Sequence, residues 1–452
     1  MDIDLKKIKK VFFIGIGGIG ISALAQMALS KGMEVSGVND EEGKTVDSLR
    51  EMGIEVVSKR HFDTLPEVDM YVYSDAWLYR GPEILQTAKD TGKPVLSYFE
   101  ALGEFAKEYK VIAVSGTHGK TTTTAMVAEV LVDAGLDPTV VVGSFVKKFN
   151  SNFREGKSEY LVLEADEYNR HFLNFRPFVT VVTNIETDHL DYYKDIDDIK
   201  NAFGQLVLQT SNVVVHNGND TNISILARKY KGRVLDYGKF LEKVPKLSVP
   251  GVHNRMNAAC ALAVADILKI PEEVAKKSLS DFSGTWRRLE KRGVTESGVI
   301  VYDDYAHHPT EIRASLQGLR ELYPPPSSKI PASQSKKITV LFQPHLYSRT
   351  KALFDDFAKS FKDADRVLLL PIYFAREALD KSVSSEKLAN AIYAFFLKEW
   401  KQFPVDAFLD LESAEKFVSN LNLGNSDVFV TMGAGEAYKV ADKVFGLTLD
   451  SK

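Results

Sequence analysis

The 452-residue chain contains a single cysteine, Cys260. One thiol can form neither an intrachain disulfide nor a cysteine metal cluster. Cys260 lies in the apolar helical run from Ala258 to Leu268, which predicts a buried and inert side chain. Long apolar runs are also missing. None reaches the roughly 18 residues that a membrane-crossing helix needs, and the stretch from Met1 to Lys10 lacks the apolar core of a signal peptide. A cytoplasmic protein without a membrane partner is therefore expected. The chain has no basic excess either. Its formal net charge of -4 argues against a general nucleic-acid binder, although a local basic pocket can sit in an acidic protein. Internal repeats, heptads and low-complexity tails are absent from the sequence.

What remains is ordinary in bulk: 44% hydrophobic and 26% charged residues suit a soluble globular protein. The length exceeds what one core fills and suggests about three domains. Strand-like and helix-like patterns alternate from end to end, which predicts an α/β fold with mostly parallel sheets. Strands are expected at Val11–Ile14, Glu34–Val38, Asp69–Tyr73 and Pro94–Leu96, with a helix over Ile19–Ser30. Further strands are expected at Val111, Tyr160–Leu163, Val179–Val182 and Asn212–Val215, and a helix from about Asn254. The last third offers Val299–Tyr302, Ile338–Phe342, Arg366–Leu370 and Val428–Met432. Boundaries near Lys107 and Gly293 give expected domains 1–107, 108–293 and 294–452. The Pro- and Ser-rich segment Tyr323–Ser335 reads as a mobile surface loop.

The richest chemistry lies in Val111–Thr124, which reads as a buried strand, a glycine turn and a helix start. Gly116, Thr117, His118, Gly119, Lys120, Thr121 and Thr122 would aim backbone N–H groups and a helix dipole at one spot. Lys120 supplies a cation for β/γ-phosphates and Thr121 a hydroxyl for Mg²⁺, so an ATP-type site is the direct reading. The strict pattern would have Gly where Val114 stands, which makes this a variant.

Five other runs carry candidate chemistry. Gly15, Gly17 and Gly20 in Gly-Ile-Gly-Gly-Ile-Gly fit a dinucleotide fingerprint, and Asp40 ends the second strand. Alone this says NAD, but any diphosphate-linked nucleotide, including a UDP-sugar, meets the same physical need. Glu164-Ala-Asp-Glu167 follows a strand, where carboxylates are expected to ligate Mg²⁺. His189, in Asn184-Ile-Glu-Thr-Asp-His189, could serve a second metal or contact an acyl phosphate. Asn254 and Asn257 lie three apart on a helix; their amides suit an adenine edge, with an N-cap role for Asn254 as the alternative. Arg288 could offset charge developing at a γ-phosphoryl group, and Asp304 could hold a ribose. In Gln343-Pro-His345-Leu-Tyr-Ser-Arg349, Arg349 suits a substrate carboxylate through its fork geometry.

Taken together, in order and over nearly the whole chain, these runs resemble the Mur ligases, ATP-dependent amide-forming enzymes of peptidoglycan synthesis. The resemblance implies a Rossmann-like UDP-binding domain, a central P-loop ATPase-like domain and a Rossmann-like C-terminal domain for the amino acid. Two runs, Gly15–Gly20 and Gln343–Thr350, are most similar to members that add L-alanine to UDP-N-acetylmuramate, with a tripeptide-adding recycling ligase as the alternative. The implied cofactors are ATP and Mg²⁺. The implied catalytic set is Lys120, Glu164, His189 and Arg288, with Thr121, Glu164 and His189 toward metal. The resemblance also assigns Gly15, Gly17, Gly18, Gly20, Asp40, Ser74 and His189 to the UDP-sugar. It assigns Asn254, Asn257, Arg288 and Asp304 to ATP, and His307, His345, Arg349 and Arg376 to the amino acid. A monomer or weak homodimer is expected. Three places depart from the common pattern. Ala23 replaces a usual Gly and Asp75 a usual second Ser. Glu167-Tyr-Asn-Arg-His-Phe172 stands where Glu-Ser-Asp-Gly-Ser-Phe is common among alanine-adding members, and resembles a variant seen in others.

Overall fold

Strands Lys10–Ile14 (β1), Glu34–Asn39 (β2), Glu55–Ser58 (β3), Met70–Tyr73 (β4) and Val95–Ser97 (β5) form a parallel sheet in the order β3-β2-β1-β4-β5. The computed structural model describes residues 3–62, 64–325, 331, 335–374, 377–399 and 402–447. The helix Ile19–Ser30 matches its expected span. The chain order reverses between β1 and β4, a switch point at which the glycine turn after β1 and Ser74 after β4 become neighbours.

The second sheet holds Lys110–Ser115 (β6), Thr139–Val146 (β7), Ser151–Arg154 (β8), Tyr160–Glu164 (β9), Val179–Val182 (β10), Val213–His216 (β11) and Arg233–Asp236 (β12). Its order is β12-β11-β10-β6-β9-β7-β8, parallel except that β8 runs antiparallel to β7. Near-continuous Val, Ile and Leu in β6, β9, β10 and β11 reflect burial on both faces. The third sheet holds Glu290–Val294 (β13), Ile300–Asp304 (β14), Lys337–Phe342 (β15), Arg366–Leu369 (β16), Val405–Ala407 (β17) and Asp427–Met432 (β18), in the order β13-β14-β18-β15-β16-β17. Here β13 is the antiparallel edge, and the boundary expected at Gly293 falls inside it.

The described chain packs as two compact units. One comprises 1–187, 192–246 and 256–285 and carries the first two sheets; the other comprises 188–191, 247–255 and 286–452 and carries the third. In the first unit a continuous core runs from Phe13 and Leu24 through Leu102 and Phe105 to Leu161, Phe172 and Phe203. In the second, separate clusters cover the two faces of the sheet. Cys260 is buried in the helix Val252–Ile267 as expected, and burial pushes its thiol well above the usual range. No helix among the described residues is long and apolar enough to cross a membrane. Of the expected Pro-rich loop, residues 326–330 and 332–334 lie outside the described residues.

Candidate active site

The helix Lys120–Asp133 begins at Gly119, which takes the left-handed conformation (φ 82°) and serves as N-cap. A Cβ there would lie 2.5 Å from Asn257 Oδ1, so only glycine fits. Asn257 thus packs against the turn. The turn is braced from β10. Thr183 Oγ1 donates to the His118 carbonyl (2.6 Å), and the Thr117 N–H and His118 N–H donate to the Asn184 carbonyl and Oδ1 (3.0 and 2.9 Å). Tyr237 Oη in turn donates to the Thr183 carbonyl at 2.7 Å. Sequence reading passed over Thr183, Asn184 and Tyr237 as braces; the polar pair directly after β10 was the available signal.

Lys120 Nζ lies 2.6 Å from Glu167 Oε2 and also donates to the Gly116 and Thr117 carbonyls at 2.7 and 3.2 Å. Burial works against its charge, but Glu167, Asp166 and Glu164 more than offset it and hold the ammonium above the ordinary lysine range. Thr121 Oγ1 donates to Glu164 Oε1 at 2.8 Å. The hydroxyl and carboxylate expected to share a cation therefore do meet, at a helix N-terminus beside a carboxylate-bound lysine. Hard oxygen donors of this kind fit Mg²⁺.

The other Glu164 oxygen accepts from the Gly143 N–H at 2.8 Å. A Cβ at Gly143 would stand 2.7 Å from that carboxylate. The sequence reading missed this glycine; its signal was a lone Gly within the β-branched run Val140-Val-Val-Gly-Ser. Gly143→Ala is expected to displace Glu164 and raise the Mg²⁺ concentration for half-maximal activity about tenfold, as changes around a metal's ligands commonly do. A titration of ADP release against Mg²⁺ checks it, and an unchanged midpoint would remove Gly143 from the site.

At the first sheet, Gly15 has φ 83° and Gly18 precedes the helix Ile19–Ser30. Ser74 lies beside Gly18, placing it at the same turn. The expected ribose acid behaves differently. Asp40 pairs with Arg80 (3.1 Å), whereas Asn39 Oδ1 accepts the Gly17 N–H at 3.1 Å, so the neutral amide rather than the acid touches the glycine turn.

In the second unit, Arg349 Nε and Nη2 both lie 3.0 Å from Asp188 Oδ1, and Nη1 is turned to His345 Nδ1 at 3.4 Å. The fork expected to meet a substrate carboxylate thus already engages a buried aspartate. Burial raises Asp188, but Arg349, with His189, His307 and His308, more than offsets it and holds the carboxyl well below the usual range. His345 stacks on Tyr373, and His307 approaches His345 with ring centroids 6.0 Å apart. Burial lowers His307 to about 4, opposed by Glu311 and assisted by Arg349, so this imidazole is neutral at pH 7. His307, His345 and Arg349 therefore gather as expected, while Asp188 and Tyr373 were not foreseen; Arg376 lies outside the described residues. His189 follows Asp188 with φ 53° and belongs to the same unit.

Arg288 is half-buried, its guanidinium 5.0 Å from the Tyr305 ring centroid. Its neighbour Arg287 is the structural one, buried in an ion pair with Asp303 at 2.8 Å and donating to the Gly433 carbonyl. Asp304 accepts from Ser315 Oγ, and burial raises it to about 6 despite that bond. Asn254 is not an N-cap: it sits within the helix Val252–Ile267, and its amide donates to the Pro250 carbonyl at 2.7 Å.

Three family descriptions match the chain in succession. They are the Mur ligase family catalytic domain over residues 10–110, the Mur ligase middle domain over 114–245 and the Mur ligase glutamate ligase domain over 287–435. The UDP-N-acetylmuramate–L-alanine ligase of Caldanaerobacter subterraneus subsp. tengcongensis is 37% identical, covering 98% of both chains. That of Aquifex aeolicus is 38% identical over 96% of both. Among solved structures, the UDP-N-acetylmuramate–alanine ligase MurC of Thermotoga maritima superposes with a TM-score of 0.77 at 29% identity, covering 98% of this chain and all of that one.

Proposed function

The chain belongs to the Mur ligase family, and from that membership we propose that it joins L-alanine to the muramate carboxylate of UDP-N-acetylmuramate, consuming ATP. The observation that carries the phosphoryl-transfer half is the meeting of Lys120, Thr121, Glu164 and Glu167 at one helix N-terminus. The curated relatives' names support the choice of substrates.

The muramate carboxylate oxygen attacks the γ-phosphorus of ATP, giving an acyl phosphate and ADP. The L-alanine amine then attacks the acyl carbon, and the tetrahedral adduct collapses with loss of inorganic phosphate. Such transfers demand positioning and charge neutralisation more than covalent help from the protein. Lys120 neutralises the β/γ-phosphates, which the positive N-terminal end of the helix Lys120–Asp133 also favours. Thr121 and Glu164 would hold Mg²⁺, which screens phosphate charge when bound. Asn254, Asn257, Arg288 and Asp304 serve the nucleotide, and His189 serves the reacting end of the UDP-sugar or a second metal. Gly15, Gly17, Gly18, Gly20 and Ser74 serve the UDP moiety. His307, His345, Arg349 and Arg376 serve the amino acid; a neutral His307 suits contact with an amine that must shed its proton before attack.

The test is ADP release with UDP-N-acetylmuramate, ATP and Mg²⁺ across a panel of amino acids and the tripeptide, with product masses recorded. Release that depends on L-alanine, with a product one alanyl residue heavier, supports the proposal. Dependence on the tripeptide would make this chain a recycling ligase instead.

A further inference from the structure

Two of the places where this sequence departs from the common family pattern touch each other. Asp75, standing for a usual Ser, and His171, standing for another, meet at 2.8 Å between Oδ2 and Nε2. Asp75 follows Ser74 at the C-terminal end of β4, beside the glycine turn. His171 lies in the turn after Glu167, the carboxylate that holds Lys120. Both belong to the first compact unit.

The turn from Glu167 to Phe172 is unusual in itself. Asn169 and Arg170 both take left-handed backbone (φ 52° and 58°), which is costly for Arg with its Cβ. The common pattern has Asp and Gly at these two places. Here surrounding contacts hold the conformation. Arg170 pairs with Asp198 and lies over the Tyr193 ring, and Tyr193 Oη donates to the Glu167 carbonyl. The His171 ring is 8% exposed and stacks on Phe99, with centroids 3.9 Å apart and planes within 14°. Phe99 belongs to the helix Tyr98–Ala106 that follows β5, so the ring stack and the Asp75 contact come from the first sheet and its helices, while Asn169 Nδ2, 3.2 Å from the same Nε2, and the Tyr168 ring edge hold the imidazole from its own turn.

We infer that Asp75 and His171 are a positioning pair that ties the Lys120–Glu167 end of the phosphate site to the UDP-sugar turn and so fixes the reach between them. The inference rests on the ligase reading, because only a substrate held at both ends feels that distance. Neither residue touches the reacting atoms; both act through Glu167 and Ser74.

The test is a double-mutant cycle: Asp75→Ser, His171→Ser and the double variant, which removes both members of the contact and strands neither. His171→Asn is added because it can still donate to Asp75 without the imidazole. Each serine single variant is expected to lose about tenfold in kcat for L-alanine-dependent ADP release, with the ATP KM within about twofold, and the double variant to recover to within about threefold of wild type, a coupling in the range of contacting residues. His171→Asn is expected to lie between wild type and His171→Ser. Losses that simply multiply in the double variant would overturn the pair. So would single variants whose melting temperature falls while kcat holds, because that marks a contact that only stabilises the fold. The wild-type enzyme separates the two claims: if it releases ADP with another acceptor, the alanine assignment fails, and the cycle is read with that acceptor.

Discussion

Lys120→Ala is expected to lower turnover by about three decades, the scale on which preorganised charge acts on a developing negative centre. The ammonium is fixed before chemistry by Glu167 and by the carbonyls of Gly116 and Thr117. Its charge is therefore aimed where phosphate oxygens would lie, and little reorganisation remains for the reaction. Alanine removes the charge and also leaves Glu167, 2% exposed, without its lysine. A fall in stability should accompany the loss of rate. Steady-state ADP release measures the first effect and urea denaturation the second. A double variant that also carries Glu167→Gln should regain stability but not rate. Near-normal turnover in Lys120→Ala would overturn the assignment of the turn to phosphate.

Arg349→Ala is expected to raise the KM for L-alanine about tenfold or more, with a smaller change for ATP, consistent with loss of a charge-assisted contact. It also strands Asp188. That carboxylate is 7% exposed and takes two guanidinium contacts at 3.0 Å. Removing one partner of a buried ion pair commonly costs about 3–5 kcal/mol, so stability should drop sharply and recover in Arg349→Ala with Asp188→Asn. Because the folded state depresses Asp188 well below its unfolded value, its contribution is fully present above the ordinary carboxylate range. It fades only as pH falls through the folded value. The stability difference between wild type and Arg349→Ala should therefore be flat from about pH 6 to 8 and shrink in acid. An unchanged L-alanine KM would remove Arg349 from the substrate site, leaving it an interior ion pair.

Strands β1, β6, β9, β10, β15 and β18 were readable because parallel strands buried on both faces are written as unbroken apolar runs. The edge strands β12, β13 and β17 were not. Arg233-Val-Leu-Asp in β12, Glu290-Lys-Arg-Gly-Val in β13 and Val405-Asp-Ala in β17 are short, and no residue in them is fully buried. β7 was missed for another reason: Gly143 interrupts its apolar run, and the glycine is there for Glu164.

The same division holds at the site. Residues brought together by one turn, such as Gly119, Lys120 and Thr121, are visible as a motif because backbone geometry alone assembles them. Partners brought together by the fold are not. Lys120 and Glu167 are 47 residues apart, and Arg349 and Asp188 are 161 apart. Local sequence names such side chains as candidates, but only strand order decides which of them meet. Asp40 illustrates the point: its position after β2 suits a ribose, yet Arg80, brought from beyond β4, holds it, and Asn39 faces the glycine turn.

Phosphoryl activation of the muramate carboxylate is the central claim, and oxygen-18 in that carboxylate tests it most directly. UDP-N-acetylmuramate labelled in both carboxylate oxygens is turned over with ATP and L-alanine, and the inorganic phosphate is analysed by mass. The acyl-phosphate route predicts one labelled oxygen in each phosphate released, because the oxygen that attacks phosphorus leaves with it. Unlabelled phosphate, formed at the same rate as the alanyl product, would contradict it.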